Sequence, residues 1–476
     1  MAFSSDIFLF MFLPVTLAGY YLLRPRFRNI FLLAASFVFF IWMQPKVWWV
    51  LLLSIAVNYA AGMLIGHFSN GGSTLRRLIF ILGLVGNLLP LAYYKYFNFG
   101  ISIINAVTHW GIAARDIALP LGISFFTFSG ISYLADIYHQ KSEAAKNPLD
   151  AGLYIAFFPK LLQGPITRYG EIEPDLEERH VSTDDFVYGI ERFIIGLAKK
   201  VIIADTLGAT VDGIWNASVG QNTVAIAWLG SVAYTLQIFF DFAGYSDMAV
   251  GLGRMFGFHL PENFNLPYIS KSISEFWRRW HITLGSWFRD YVYIPLGGNR
   301  KGAFRTYLNL AIVFFLTGLW HGASWNFIAW GLFNGFFMLI ERFFRIHKIH
   351  ATRIPARVKS VLLTLYALAV TNFAWVLFRA PDLHSAHWYI DTMFGRHLGS
   401  QPIYKVTWYL DRWTVFVLII AVLFSSRVSS LIYRKWSAKS GKAKTIIKYA
   451  VLLALMHFSI LRVVSGTYNG FIYFKF

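Results

Sequence analysis

Long apolar runs alternate with short basic segments along most of this chain. The runs lie at about 7–23, 30–43, 47–65, 78–94, 224–258, 306–340, 359–378, 414–424 and 446–461. Such segments are typical of helices that cross a bilayer, because a helix satisfies all of its backbone hydrogen bonds internally. The pattern therefore predicts an all-α polytopic membrane protein with about ten to twelve membrane elements.

The stretch from 119 to 170 departs from this pattern, because its apolar segments are short and interrupted by Gly and Pro. Irregular backbone is tolerated at membrane depth only where it is buried in protein or lines a cavity. We therefore expect re-entrant or broken helices here. The run at 224–258 carries two carboxylates, Asp241 and Asp247, which we expect to pair with the arginines around Arg278 in a structural role.

The composition also favours a membrane protein. Of 476 residues, 57% are hydrophobic and 14% are charged, too few charged side chains to coat several soluble domains. We expect a single integral membrane domain over 1–476. The net charge is +19, but the basic residues lie mostly in short loops, which favours anionic membrane lipid or a polyanionic substrate over nucleic acid. Because the chain has no cysteine, disulfides, thiolate metal sites and an acyl-cysteine intermediate are excluded.

His321 is the first candidate for chemistry. No Asp, Glu, Lys or Arg lies between Arg305 and Glu341, and His321 is the only histidine in that stretch. A single helix through it would be about 50 Å long, which is more than a bilayer requires, so we expect either a break or a tilt at the glycines, such as Gly318 and Gly322. An ionisable group at this depth marks a functional site, and imidazole can act as a base near neutral pH. The alternative is a histidine hydrogen-bonded between helices.

His281 is the second candidate, within a basic and aromatic segment. Apolar or aromatic positions recur with it at spacings of three and four, at Trp277, Leu284, Phe288 and Tyr291. This periodicity predicts an interfacial amphipathic helix on the cytoplasmic side, with His281 on its apolar face. This segment has two possible roles. It is either a simple interfacial belt, or a site at which His281 lies beside His321 and nearby arginines attract the phosphates of an anionic cofactor.

The end of the chain, 471–476, holds four aromatic residues among six: Phe471, Tyr473, Phe474 and Phe476. Such a tail is either an aromatic anchor at the membrane interface or a segment that inserts into a pocket and presents the Tyr473 hydroxyl.

Together these motifs resemble the membrane-bound O-acyltransferase (MBOAT) family, in particular its bacterial polysaccharide branch, which includes alginate O-acetylation. The matching segments are 119–125, 163–166, 244–248, 276–281, 293–300 and 318–322. The resemblance implies an all-helical membrane domain in which a cytoplasmic recess and an outer funnel meet at a histidine. It also implies a multi-pass protein of the bacterial inner (cytoplasmic) membrane.

By the same resemblance, His321 corresponds to the essential histidine of the family and His281 to its second polar residue, which would hold or polarise a thioester carbonyl. The implied donor is cytoplasmic acetyl-CoA, with no permanently bound cofactor and no metal. We expect Trp277, Arg278 and Arg279 to contact this donor. The acetyl group would pass outward to a periplasmic SGNH-hydrolase-type partner that acetylates the polysaccharide. Tyr473 would carry the group as an ester, with the tail at 471–476 inserted in the outer funnel.

Other functions fit parts of the pattern. A membrane transporter or polysaccharide export channel would explain broken helices and buried polar groups, but not the placement of both histidines in these two segments. A structural anchor that recruits the periplasmic enzyme is a third possibility. Within the acetylation hypothesis, alginate is favoured, and cellulose or peptidoglycan are the alternatives.

Overall fold

The computed structural model describes residues 1–68, 74–217, 221–344, 355–396, 404–438 and 440–466. This part of the chain consists of helices and connecting loops without a β-strand, which confirms the all-α prediction. Its contacts form two compact units, the first from 1–193 and 245–261 and the second from 194–244 and 262–476. The single domain expected over 1–476 stays a prediction.

The first unit is built around three mutually packed helices, α3, α4 and α6. The helices that begin in this unit are α1 (Leu13–Leu22), α2 (Arg28–Met43), α3 (Trp48–His67), α4 (Thr74–Leu91), α5 (Phe97–Thr108), α6 (Ile123–Tyr138), α7 (Pro148–Ala156), α8 (Phe158–Leu161), α9 (Tyr169–Glu177) and α10 (Thr183–Ala198). Two buried amides, Asn58 and Asn87, hydrogen-bond reciprocally at 2.9 and 2.8 Å. Gly130 of α6 lies against this pair, and a Cβ there would overlap the Asn87 side chain. Small and amide residues thus hold these apolar helices together.

The stretch 119–170 forms the short helices α6, α7 and α8, which confirms the expectation of broken helices. Most of their side chains are buried within the first unit. Phe157 has a non-helical backbone (φ −51°, ψ 110°) between α7 and α8, and Pro159 lies in the first turn of α8. Because proline cannot donate to the preceding turn, the break coincides with the Gly and Pro pattern.

The second unit contains the later helices and the C-terminal half of the described chain. They are α11 (Asp205–Trp215), α12 (Val224–Met255, which continues into the first unit), α13 (Ile273–Arg279), α14 (Ile282–Phe288), α15 (Gly302–His321), α16 (Trp325–Phe343), α17 (Ala356–Arg379), α18 (Leu383–Met393), α19 (Val406–Tyr409), α20 (Arg412–Ser425), α21 (Arg427–Ser437) and α22 (Lys442–Val464). A core of buried aromatic and aliphatic side chains joins α12, α13, α16 and α17.

Among the described residues, seven helical stretches are long and apolar enough to cross a membrane, or eight if α20 and α21 form one bent span. One of the seven covers 74–108 and includes both α4 and α5. The expected ten to twelve elements also counted shorter pieces, such as the 16-residue helix α6. The chain is therefore a multi-pass membrane protein.

The two carboxylates of α12 have different partners from those expected. In the second unit, Asp241 pairs with Lys200 at 2.7 Å. In the first unit, Asp247 pairs with Arg192 at 2.7 Å. The expected pairing with the arginines around Arg278 is therefore wrong.

Close backbone packing explains these partners. A Cβ at Gly244 would lie 2.8 Å from the Gly196 carbonyl oxygen, and one at Gly251 would lie 2.6 Å from the Gly189 carbonyl oxygen. Glycines thus let α12 approach α10 and the π-helix that follows it, Lys199–Ala204. Because of this approach, the basic side chains of that segment reach the aspartates.

Candidate active site

His321 is the last residue of α15, at the turn of a helical hairpin. Gly322 is extended, and α16 begins at Trp325, so the break expected in the charge-free stretch is confirmed. The two helices touch through glycines: a Cβ at Gly318 would overlap the Phe327 carbonyl oxygen, and one at Gly331 would overlap the Phe314 carbonyl oxygen. This contact between the two backbones fixes the position of His321 at the end of α15 relative to α16.

An aromatic box surrounds the His321 ring. The ring centroid lies 4.6 Å from Trp320, 4.7 Å from Trp330 and 5.1 Å from Phe378, each ring being turned edge-to-face. Only 4% of His321 is exposed. The box combines side chains of α15, α16 and α17, and it keeps bulk water away from the imidazole.

His281 does not lie within a continuous helix, so the single amphipathic helix predicted around it is wrong. α13 ends at Arg279 and α14 begins at Ile282. His281 lies between them with φ +43°, in the left-handed region that non-glycine residues rarely adopt. The loop at 263–265 stabilises the break, because the Asn263 carbonyl accepts from Ile282 N–H at 3.0 Å and Asn265 N–H donates to the Arg279 carbonyl at 2.9 Å.

The hydrogen bonds of Asn263 determine the tautomer of His281. Asn263 Oδ1 accepts from the backbone N–H of Thr283 at 3.3 Å and from its hydroxyl at 2.9 Å. The same oxygen lies 3.1 Å from His281 Nδ1. Because an amide oxygen can only accept, His281 carries its proton on Nδ1. Its Nε2 is then a buried acceptor without a hydrogen-bond partner among the described residues.

The structure brings the two histidines together around one tryptophan. The Trp320 ring centroid lies 4.6 Å from that of His321 and 6.0 Å from that of His281. The His281 ring also packs edge-to-face with Phe242, with the ring centroids 4.7 Å apart. Two buried imidazoles in an apolar setting can exchange protons with a reacting hydroxyl without competition from water.

The three residues expected to contact the donor have different surroundings. Trp277 donates its indole N–H to Asn334 at 3.3 Å and its ring packs 5.7 Å from Trp330, which in turn borders His321. Arg279 is tied to Glu275 at 3.0 Å. Arg278 is exposed. Arg278 is thus the residue of the three that has an exposed charge. Tyr473 and the rest of 471–476 lie outside the described residues.

Two residues that position His281 carry no sequence signal. Asn263 fixes its tautomer, and Glu341 fixes α13 because its carboxylate accepts from Ser274 N–H at 2.9 Å and from the Ser274 hydroxyl at 2.8 Å. A carboxylate at a helix N-terminus is favourable because the free N–H groups there carry partial positive charge. Glu341 is visible in the sequence only as the end of the charge-free stretch.

His281 should make the protein less stable in mild acid. Burial lowers the pKa of His281 from 6.5 to about 3. Below pH 6.5 the unfolded chain therefore takes up a proton that the folded protein does not, and stability falls as the pH drops toward 3. Between pH 6.5 and pH 5 the loss should be about 2 kcal/mol.

Denaturation of the detergent-solubilised protein at several pH values measures this loss. His281→Asn is the matched variant, because asparagine does not titrate and tolerates a left-handed backbone. It should flatten the acid side of the stability profile. An equally steep profile in wild type and variant would contradict the assignment to His281.

Comparisons with known proteins agree with this arrangement. Residues 115–360 match the model of MBOAT, the membrane-bound O-acyltransferase family. The chain is 44% identical to a probable alginate O-acetylase of Azotobacter vinelandii over 399 residues, 83% of this chain and 78% of that protein. It is 38% identical to a probable alginate O-acetylase of Pseudomonas putida over 496 residues, 100% of both chains.

A relative with a different named product is similar over its whole length as well. The chain is 33% identical to a peptidoglycan O-acetyltransferase of Helicobacter pylori over 525 residues, 100% of this chain and 97% of that protein. The matched family region includes both histidines and the hairpin that carries His321. The chain is thus a membrane-bound acyltransferase, and it belongs to the membrane-bound O-acyltransferase family.

Proposed function

We propose that this protein transfers acetyl groups from cytoplasmic acetyl-CoA across the inner membrane for the O-acetylation of an exopolysaccharide, with alginate as the favoured polymer. The observation that carries the proposal is the pair of buried histidines whose rings both lie near the Trp320 ring. The similarity to alginate O-acetylases over most or all of the chain supports the choice of polymer.

In the proposed reaction, His321 takes the proton of an acceptor hydroxyl. The oxygen attacks the thioester carbonyl, a C–O bond forms, the C–S bond breaks, and CoA leaves as a thiolate that regains the proton from the imidazolium. A hydroxyl is a poor nucleophile until a base removes its proton, and a positioned base accelerates such a step by about a hundred- to ten-thousandfold.

His281 plays a complementary part in this proposal. The Nδ1–H tautomer leaves Nε2 as an acceptor, so the ring can orient a hydroxyl or amide N–H of a reactant. Polarising the thioester carbonyl would need a donor at Nε2, and the tautomer favours the acceptor role instead. The exposed guanidinium of Arg278 is available to the phosphates of the donor.

Peptidoglycan is the second candidate polymer, because the similarity to the Helicobacter pylori acetyltransferase extends over the full chain. The two candidates share the donor and the membrane step and differ only in the final acceptor. Acetylation assays with purified alginate and peptidoglycan, in the presence of a periplasmic SGNH-hydrolase-type partner, distinguish them.

Sealed membrane vesicles test the donor and its side of entry together. Acetyl-CoA does not cross membranes, so inverted vesicles expose the cytoplasmic face to it and right-side-out vesicles do not. Inverted vesicles that contain the protein should release free CoA, and right-side-out vesicles should release it at least tenfold more slowly. Equal release in both orientations, or none in either, would overturn the proposed donor route.

Tyr473→Phe tests the outward step. In the proposal, the Tyr473 phenol is acetylated at the tail and then passes the group to a serine of the periplasmic partner. A phenol, with a pKa near 10, is a far better leaving group than an alcohol, so an aryl acetate suits such a relay. Loss of the hydroxyl alone should lower polymer acetylation at least tenfold while expression stays unchanged.

Mass spectrometry of the C-terminal peptide supplies the direct readout for Tyr473. After incubation with acetyl-CoA, the wild-type peptide should carry one acetyl group and the Tyr473→Phe peptide none. A fully active variant would mean that the tail only anchors the chain and that the acceptor reaches His321 directly. Tyr468→Phe, which changes a second tyrosine five positions before Tyr473, serves as the matched control and should stay active.

A further inference from the structure

A cavity of about 630 Å³ lies in the second unit, bordered by α12, α17 and the bend between α20 and α21. Its walls are largely apolar, and several of the wall side chains on α12 and α17 are substantially exposed, among them Val232 (42%), Val361 (58%) and Leu365 (56%). They lie on helices long enough to cross a membrane. Apolar side chains exposed on such helices face lipid, so this cavity opens toward the hydrocarbon of the bilayer.

One margin of the cavity is polar and carries a positive charge. Ser425, Ser426 and Arg427 lie there, where α20 and α21 meet at an angle of 71°. Arg427 is exposed, and no other described residue accepts a hydrogen bond or ion pair from its guanidinium. The charged end of this side chain is thus available to a ligand that extends into the cavity.

The helix after the bend has the character of a membrane-surface helix. Val428, Leu431 and Ile432 form an exposed apolar stripe on α21, and Arg427 and Arg434, seven residues apart, lie together along one border of this stripe. No Asp or Glu lies anywhere between Arg412 and the end of the chain. Such a basic amphipathic helix lies in the headgroup region and attracts anionic lipids.

We infer that this cavity is a binding site for an anionic phospholipid, with the phosphate on Arg427 and one acyl chain between α12 and α17. Guanidinium groups bind phosphate through charge-assisted, paired hydrogen bonds. Along α17 the cavity is lined from Ser360 to Asn372, a distance of about 18 Å at 1.5 Å per residue. One leaflet of the hydrocarbon core is about 15 Å deep, so the lined length matches one acyl chain.

Lipid retention by the purified full-length protein tests this site. The protein is loaded with phosphatidylglycerol or phosphatidylcholine in detergent, washed, and the bound lipid is counted by native mass spectrometry. Two variants act on different parts of the site: Arg427→Ala removes the phosphate contact, and Ala369→Trp fills the apolar part from an exposed position. Arg434→Ala is the matched control, because it removes an equal charge from the same helix outside the cavity.

Wild type should retain about one phosphatidylglycerol per chain. Arg427→Ala should lower this retention at least tenfold, since a charge-assisted hydrogen bond is lost, whereas Arg434→Ala should change it less than twofold. Excess inorganic phosphate should not displace the lipid. Equal retention of phosphatidylcholine, or an equal loss in Arg434→Ala and Arg427→Ala, would overturn the site, and this comparison stands even if Ala369→Trp fails to fold.

Discussion

His321→Ala should lower acetyl transfer by about a hundred- to ten-thousandfold, the usual loss when a general base is removed. The protein should still fold into the membrane, because the hairpin of α15 and α16 is held by glycine contacts between the two backbones rather than by the imidazole. Release of CoA from acetyl-CoA by equal amounts of purified protein measures the effect. His321→Gln, which retains polar volume in the aromatic box, should lose activity to a similar extent.

A histidine elsewhere in the second unit provides the control. His384 is exposed on α18, so His384→Ala should keep nearly full activity. The assignment fails if well-expressed His321→Ala keeps more than a tenth of the wild-type rate.

A double variant, His321→Ala with His281→Asn, tests whether the two histidines act together. The effects of residues that serve one transition state are not additive. The double variant should therefore lose less activity than the product of the two single losses.

The hairpin that carries His321 could be predicted from the sequence because its signal is local. A charge-free stretch too long for one crossing, with glycines near its middle, requires a turn there. The box around the imidazole could not be predicted. Phe378 comes from α17, 57 positions after His321 in the chain, and aromatic residues make up 18% of the chain. At that frequency no single aromatic position stands out.

The surroundings of His281 show where periodicity misleads. Spacings of three and four across Trp277, Leu284 and Phe288 are preserved on both sides of the break, so the sequence reads as one helix. The left-handed backbone of His281 depends on Asn263, which is 18 residues away. The contact with Asn263 thus overrides the helical periodicity of the sequence. The same contact places the His281 proton on Nδ1 and leaves Nε2 as a hydrogen-bond acceptor.

Lys200→Met should lower the free energy of unfolding by about 3–5 kcal/mol, the usual cost of breaking a buried ion pair by removing one partner. Lys200 is fully buried and lies 2.7 Å from both Asp205 and Asp241. Methionine matches the length of the stem but removes the charge. Two buried carboxylates would then lose the ammonium that lies between them, and low-polarity surroundings penalise such a loss strongly.

Two further variants serve as controls for the loss of stability in Lys200→Met: one changes a surface lysine, and the other also removes the two carboxylates. Lys146 pairs with Glu177 at 2.6 Å, but its side chain is 73% exposed, so Lys146→Met should cost far less stability than Lys200→Met. Adding Asp205→Asn and Asp241→Asn to Lys200→Met should recover most of the lost stability, because it removes the two carboxylates that Lys200 neutralises. Denaturation of each variant in detergent micelles measures these differences. If Lys200→Met were no more destabilising than Lys146→Met, Lys200, Asp205 and Asp241 would not act as a stabilising buried cluster. The close packing of α12 against the segment after α10 would then need another source of stability.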